Sequence, residues 1–346
     1  MNIGEKINVY VPTRIKDRLY EDAKLFEVFK RNRQGINPNR FLNLLVMGYS
    51  QAFAEEYNGT KGQLIEELAA SGLDTQRSEM AAGRILKNVL FPVEQRRAGR
   101  NLCRLPLKPS VANEGCFLEI VEGLTAEDSL SGYLCRMLQS YCEKASAERE
   151  RIIHGESYAV LTSAIERSEA VSFSTPWSRD FVHRVIPFKL AVGQSEQFNY
   201  LLCGEEVDGV QEARTYRLCR VTHPRKAKSS AVLDDGVRAH LQEMSKHGPQ
   251  FAINENVESC ARLTEEGVNS FMRIYSGRPV QDRVERKGED YLYHFSCSQD
   301  QLFLYFRRFG PGEAEILAPA SLRRRLIEFH EGALRMYGQG AELDLS

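Results

Sequence analysis

Lys6-Ile7-Asn8-Val9-Tyr10-Val11-Pro12-Thr13 alternates polar and apolar side chains with a period of two. Ile7, Val9 and Val11 point to one face of a strand, and Lys6, Asn8 and Tyr10 to the other, until Pro12 ends the run. A lone strand can neither satisfy its edges nor cover its apolar face. Downstream, Ile15, Leu19, Ala23, Phe26 and Phe29 recur at helical spacing. The turn Gly35-Ile36-Asn37-Pro38 follows, with Asn37 suited to cap a second helix and Pro38 to its first position. That second helix turns Phe41, Leu44, Leu45, Gly48 and Ala52 inward, with Phe53 nearby.

The same order recurs. Two short helices are expected at 61–70 and 76–90, within and beyond which the chain becomes basic from Arg84 to Lys108. Residues 101–107 then alternate, 111–121 suit a helix, and Ser129 opens another that turns Tyr133, Leu134, Met137, Leu138 and Tyr141 inward. Two strand-helix-helix units can pair their strands within one chain or across a dimer. The uncovered face of Ile7, Val9 and Val11 argues for a homodimer.

This arrangement resembles the ribbon-helix-helix DNA-binding family, in which paired strands enter a groove. The resemblance makes Lys6, Asn8 and Tyr10 the groove-facing side chains. It also makes the helix start at Asn37–Arg40 a phosphate site served by backbone N–H groups. Arg40 and the basic loop residues Arg96, Arg97, Arg100 and Arg104 complete this set of candidate nucleic-acid contacts.

Charge in bulk says little, since 46 basic and 47 acidic side chains leave a formal charge of -1. The 346 residues suffice for two or three domains, and 42% apolar content favours a folded chain over disorder. No basic-then-apolar leader opens the sequence, and the run Phe41–Met47 is too short to span a bilayer, so a cytoplasmic protein without membrane contact is expected. The eight cysteines form no C-x-x-C pair and sit among apolar neighbours, as expected of reduced core residues rather than a zinc site. Catalytic signatures are missing as well: Gly155-Glu156-Ser157-Tyr158-Ala159 lacks the last glycine of a serine elbow, and the histidines are scattered. A non-enzymatic protein with no cofactor and no metal is the expectation.

From 158 to 167 a helix is expected, followed by strands at 170–174, 183–190, 198–203 and 214–221, short enough for a small bent barrel. Arg184 and Pro187, then Asn199-Tyr200-Leu201, then Arg214-Thr215-Tyr216-Arg217-Leu218-Cys219-Arg220-Val221 carry a second resemblance, to the WYL domain of bacterial regulators. Asn199, Ser174 and Cys219 depart from that family's usual tryptophan, tyrosine and aspartate. The resemblance implies an Sm-like small β-barrel whose basic groove receives nucleic acid or a nucleotide-like signal. Carried over position by position, it gives Ser174, His183, Arg184, Arg214 and Arg217 as the lining. Strand geometry objects in part, because residues three apart, such as Arg214 and Arg217, face opposite sides unless a bulge intervenes. Glu205, Glu206, Asp208 and Glu212 are available to neutralise these arginines.

After a polar stretch at 229–250, a last unit holds strands at 251–257 and 290–297, a helix at 264–275, a segment at 301–310 that either forms a strand or begins as a helix, a strand at 315–317 and a helix at 321–337 capped by Ser321. The run from Phe309-Gly310-Pro311-Gly312 through Pro319 to Leu322-Arg323 resembles the C-terminal extension of WYL proteins. The expected fold class is therefore multidomain α+β. Its parts are a ribbon-helix-helix unit at 1–58, a helical and basic region at 59–145 with a second such unit at 101–143, a WYL barrel with leading helix at 146–230, and the extension at 250–340. The pairing of these resemblances is similar to the accessory WYL proteins of type VI CRISPR-Cas systems. It implies a regulator that binds single-stranded RNA, with a CRISPR effector nuclease as a further partner. A DNA-binding transcriptional repressor or activator with a nucleotide-sensing WYL domain is the other function it allows.

Overall fold

The computed structural model describes residues 6–32, 34–92, 102–124, 128–176, 178–193, 197–207, 209–230, 232–249, 258–274 and 277–339. The chain divides into two compact units, Met1–Tyr158 and Ala159–Ser346.

In the first unit, β1 (Ile7–Pro12) leads into α1 (Thr13–Leu25) and α2 (Pro38–Ala70). Next come α3 (Thr75–Ile85), prolonged by a π turn at Leu86–Leu90, and β2 (Leu102–Leu107). A 3-10 turn opens α4 (Glu114–Glu122), and α5 (Leu130–Glu143) and α6 (Ser146–Ile153) follow; the boundary between the units falls within α7 (Gly155–Arg167). β1 pairs antiparallel with β2, in a register running from Ile7 opposite Leu107 to Pro12 opposite Leu102. The strand partner is thus in the same chain. Val9, Val11, Leu105 and Leu107 are buried within this unit, which removes the reason for expecting a second copy to cover them.

Asn37 caps α2 as its sequence suggests, its Oδ1 accepting the Arg40 N–H at 3.1 Å with Pro38 at the first position. The helix does not stop near Phe53, however. It runs unbroken for 33 residues, about 50 Å, absorbing the separate helix expected at 61–70. Gly59 and Gly62 cost helix propensity but do not break the hydrogen-bond ladder as proline would.

Gly48 of α2 is where the backbone of α6 comes closest: a Cβ there would stand 2.2 Å from the Ile152 carbonyl oxygen. Gly48→Ala should therefore push the two helices apart and lower stability by about 1–3 kcal/mol, read by denaturant unfolding of the full chain. Beside this contact, Arg149 of α6 grips Asp22 of α1 with two hydrogen bonds, Nε to Oδ2 at 2.8 Å and Nη2 to Oδ1 at 3.1 Å, both side chains buried.

Among its described residues the second unit holds two sheets. β3 (Glu169–Thr175), β4 (Ser178–Val192), β5 (Asn199–Val207), β6 (Val210–Arg217) and β7 (Thr222–Ser230) form a five-stranded antiparallel sheet in the order β6-β5-β4-β3-β7. Among the described residues no ladder joins β6 to β7, so the closed Sm-like barrel expected from the sequence is not formed; the sheet is open. It must curl nonetheless. Its edge strands are linked only by the turn Leu218–Arg220, and the chain from Arg217 to Thr222 reaches at most about 17 Å. The edges of a flat five-stranded sheet would lie about 19 Å apart.

The strand expected at 214–221 ends at Arg217, and the basic stretch after it is itself β7, recruited by pairing with β3. One face of β4 and β5 is covered by α8 (Asp235–His247), which buries Leu241 and Met244 against Ala191, Leu202 and Leu233. Tyr200 and Leu201 are both buried, as supports of the sheet should be.

The remaining elements are β8 (Ser259–Leu263), α9 (Glu265–Arg273), β9 (Arg283–Lys287), β10 (Asp290–Phe295), α10 (Gln299–Phe306), β11 (Ala314–Ala318) and α11 (Ala320–Gln339). The sheet order β11-β8-β10-β9 with all neighbours antiparallel makes this a split β-α-β-β-α-β layer. Its core joins Phe271, Phe295, Leu302, Tyr305 and Ile316. Ser321, expected as a cap, lies inside α11 and donates instead to Gln299 Oε1 at 2.8 Å. The strand expected at 251–257 lies outside the described residues. Multidomain α+β architecture is what the chain has.

Candidate nucleic-acid interface

The pleat of the β1–β2 ribbon that buries Val9 and Leu105 turns the other set of side chains outward. Tyr10 stands opposite Arg104, and Asn8 opposite Pro106, with Lys6 and Lys108 following at one end. Tyr10 is 41% exposed, and Lys6 and Arg104 are exposed too. Arg104 donates from Nε to Asn8 Oδ1 at 2.8 Å, a cross-strand bond that holds the guanidinium over the ribbon. Pro106 has no N–H to give a ladder, and an edge strand such as β2 is where a sheet admits proline.

The far end of the ribbon is sewn to α2. Asn39 Oδ1 accepts the Lys108 N–H at 2.8 Å while the Lys108 carbonyl accepts from Asn39 Nδ2 at 3.2 Å and Asn43 Nδ2 at 3.0 Å. These bonds fix Lys108 on the outer face at the helix start. Arg40 is exposed at the same helix end. The backbone cradle expected there is largely spent, however. Arg40 N–H already goes to the Asn37 side chain, Phe41 N–H to the Asn37 carbonyl at 3.0 Å, and Pro38 has no N–H. Any anion at this end would be held by side chains. Arg96, Arg97 and Arg100 lie outside the described residues.

In the second unit the five residues carried over from the WYL resemblance do not share a groove. β5 and β6 pair without a bulge from Tyr200 opposite Arg217 to Val207 opposite Val210, so Arg214 and Arg217 face opposite sides. His183 and Arg214 share one face. His183 Nδ1 lies 2.8 Å from Glu205 Oε1 and 3.1 Å from Tyr216 Oη, and Tyr216 also donates to the other Glu205 oxygen. The imidazole stacks on buried Phe173, with ring centroids 5.3 Å apart. Burial, and then the neighbouring Glu205 carboxylate, push the Tyr216 phenol well above its ordinary range, so it remains a proton donor at any physiological pH. Arg214 is paired with Glu212 at 2.6 Å, one of the acids noted in the sequence.

Arg184 and Ser174 belong to the opposite face, where Arg184 stands opposite Ser172 and Ser172 opposite Arg225. Arg184 and Arg225 are exposed and about 10 Å apart at Cα across Ser172. Arg217 is on that face too, but in the row of Ala191 and Tyr200, seven residues along β4, where its guanidinium lies 3.4 Å from the centre of the Phe198 ring. Arg225, Lys108 and Glu205 were in view as charges, but only the register shows which face each occupies. Among the described residues no group of His, Cys, Asp and Glu is placed to hold a metal ion, and no helix is long and apolar enough to cross a membrane.

No protein-family model matches the chain, and no curated protein matches it in sequence. Comparison with solved structures gives alignments of unequal quality. A proteasome accessory factor B/C (PafBC) of Arthrobacter aurescens aligns over 96% of this chain and 50% of its own, at 16% identity and a TM-score of 0.28. A crystal structure described as a CRISPR Cas-related protein superposes with a TM-score of 0.69 at 19% identity, over 98% of this chain and 95% of its own. The chain shares the fold of that CRISPR Cas-related protein across nearly the whole length of both.

Proposed function

We propose that this chain is a non-catalytic, nucleic-acid-binding regulator that serves a CRISPR-Cas system, and that it holds single-stranded RNA on the outer face of its ribbon. One observation carries the reading: Tyr10, Arg104, Asn8, Lys6 and Lys108 are gathered on one exposed face by the pairing of β1 with β2. An exposed ring can stack on an unpaired base while flanking cations neutralise its phosphates. The whole-length fold likeness to a CRISPR Cas-related protein supports the setting. In that setting an effector nuclease is the partner to be sought.

Duplex DNA is a second reading, favoured by the ribbon itself, since a two-stranded antiparallel ribbon fits the major groove. Titration of the full chain with single-stranded RNA, single-stranded DNA and duplex DNA at matched salt separates the two. The first reading expects the unpaired strands to bind at least about tenfold more tightly than the duplex, with RNA ahead of DNA. Tighter binding of the duplex would replace it with the second.

A further inference from the structure

A cleft of about 640 Å³ opens between α2, α3 and α4 in the first unit, lined by none of the ribbon residues. Its apolar floor is formed by Tyr57, Tyr133, Leu86 and Ile120, all buried, and the two tyrosine rings meet edge to face with centroids 6.0 Å apart. Met80, 52% exposed, carries this apolar lining out to solvent. The cleft is not collapsed because small residues line it. At Gly83 of α3, a Cβ would meet no atom within 4 Å.

The charges around the floor are unequal. Lys87 Nζ is 2.9 Å from Asp128 Oδ1, and this largely buried pair neutralises itself. Among the described residues that line the cleft, exposed Glu55, Glu79 and Glu119, one each from α2, α3 and α4, then outnumber the one remaining cation, Lys61. An apolar floor within an acidic rim is complementary to a ligand that offers apolar side chains flanked by cations. A polyanion such as RNA would be repelled there.

We infer that this cleft docks a basic amphipathic helix of a partner protein. The helix would seat its apolar stripe on Tyr57, Tyr133, Leu86 and Ile120 and set lysines or arginines against Glu55, Glu79 and Glu119. The volume is enough for several aliphatic side chains, within the usual range of ligand clefts. The inference is independent of the ribbon, so either can fail without the other.

The test uses the full chain and two synthetic amphipathic helical peptides, one of Leu and Lys and one of Leu and Glu, titrated by fluorescence anisotropy. The Leu/Lys peptide should bind and the Leu/Glu peptide should not. Gly83→Phe fills the cleft at a helical position where any ordinary residue is a better helix former than glycine, and should weaken the Leu/Lys peptide at least about tenfold. Joint Glu55→Lys, Glu79→Lys and Glu119→Lys should do the same through exposed positions, with circular dichroism melting unchanged. Should either variant fail to fold, the other decides. Leu/Lys affinity unchanged in a folded variant, or equal binding of the Leu/Glu peptide, would overturn the inference.

Discussion

Arg149→Ala is expected to lower the unfolding free energy of the first unit by about 3–5 kcal/mol, read as the shift of its denaturant transition in the full chain. The change removes the two hydrogen bonds to Asp22 and leaves that carboxylate buried with no guanidinium beside it. The loss measures an uncompensated buried charge rather than the net worth of the pair. A double variant with both side chains aliphatic, Asp22→Leu with Arg149→Met, should therefore recover most of the loss, because neither charge is then desolvated. A cost below about 1 kcal/mol for Arg149→Ala would mean the pair behaves like an exposed one and that α1 and α6 are not clamped here.

The second large effect falls on binding. Tyr10→Ala combined with Arg104→Ala should weaken single-stranded RNA by about a hundredfold. A stacked ring contributes about 1–3 kcal/mol per base, and a lost phosphate contact adds to it. Both side chains stand on the outer face, so melting should be little changed. Tyr10→Phe should bind nearly as the wild type if the ring stacks, and as poorly as Tyr10→Ala if only the hydroxyl matters. These responses distinguish stacking from hydrogen bonding at the same position.

Much of this geometry was legible in the sequence. The alternation of residues 6–11 defined one strand of the ribbon and its outward Lys6, Asn8 and Tyr10, the alternation of 101–107 marked the second strand, and Asn37-Pro38 located the start of α2. Arg104, read as a basic loop residue, is placed on the ribbon by the pairing alone. Pairing within one chain was one of two open arrangements, since a strand's periodicity names its faces but not its partner. Elements lacking a periodic apolar signal were missed. β9 reads Arg283-Val284-Glu285-Arg286-Lys287, exposed throughout, and β7 is a basic stretch held by its pairing with β3. α8 did carry a signal, Val237, Leu241 and Met244 at helical spacing, but it is embedded among charges. The barrel failed for a different reason: strand count and length do not state whether the last two strands bond, and here only a turn joins them.

The candidate site in the second unit shows the same limit. The spacing of Arg214 and Arg217 already argued against a shared groove, and the unbulged β5–β6 register places them on opposite faces. The sequence offered Glu205 as a partner for arginine, whereas the fold gives it to His183 and Tyr216, a choice made by cross-strand register.

The central claim, that the ribbon's outer face is the nucleic-acid contact, is tested most directly by the salt dependence of single-stranded RNA binding. The wild type is to be compared with the folded triple variant Lys6→Ala, Arg104→Ala and Lys108→Ala. Each phosphate contact contributes a slope of about 0.7 in log affinity against log salt for a single strand, so loss of three should flatten the slope by about 2 and weaken affinity at low salt. An unchanged slope with unchanged affinity in the triple variant would contradict the account and move the contact off the ribbon.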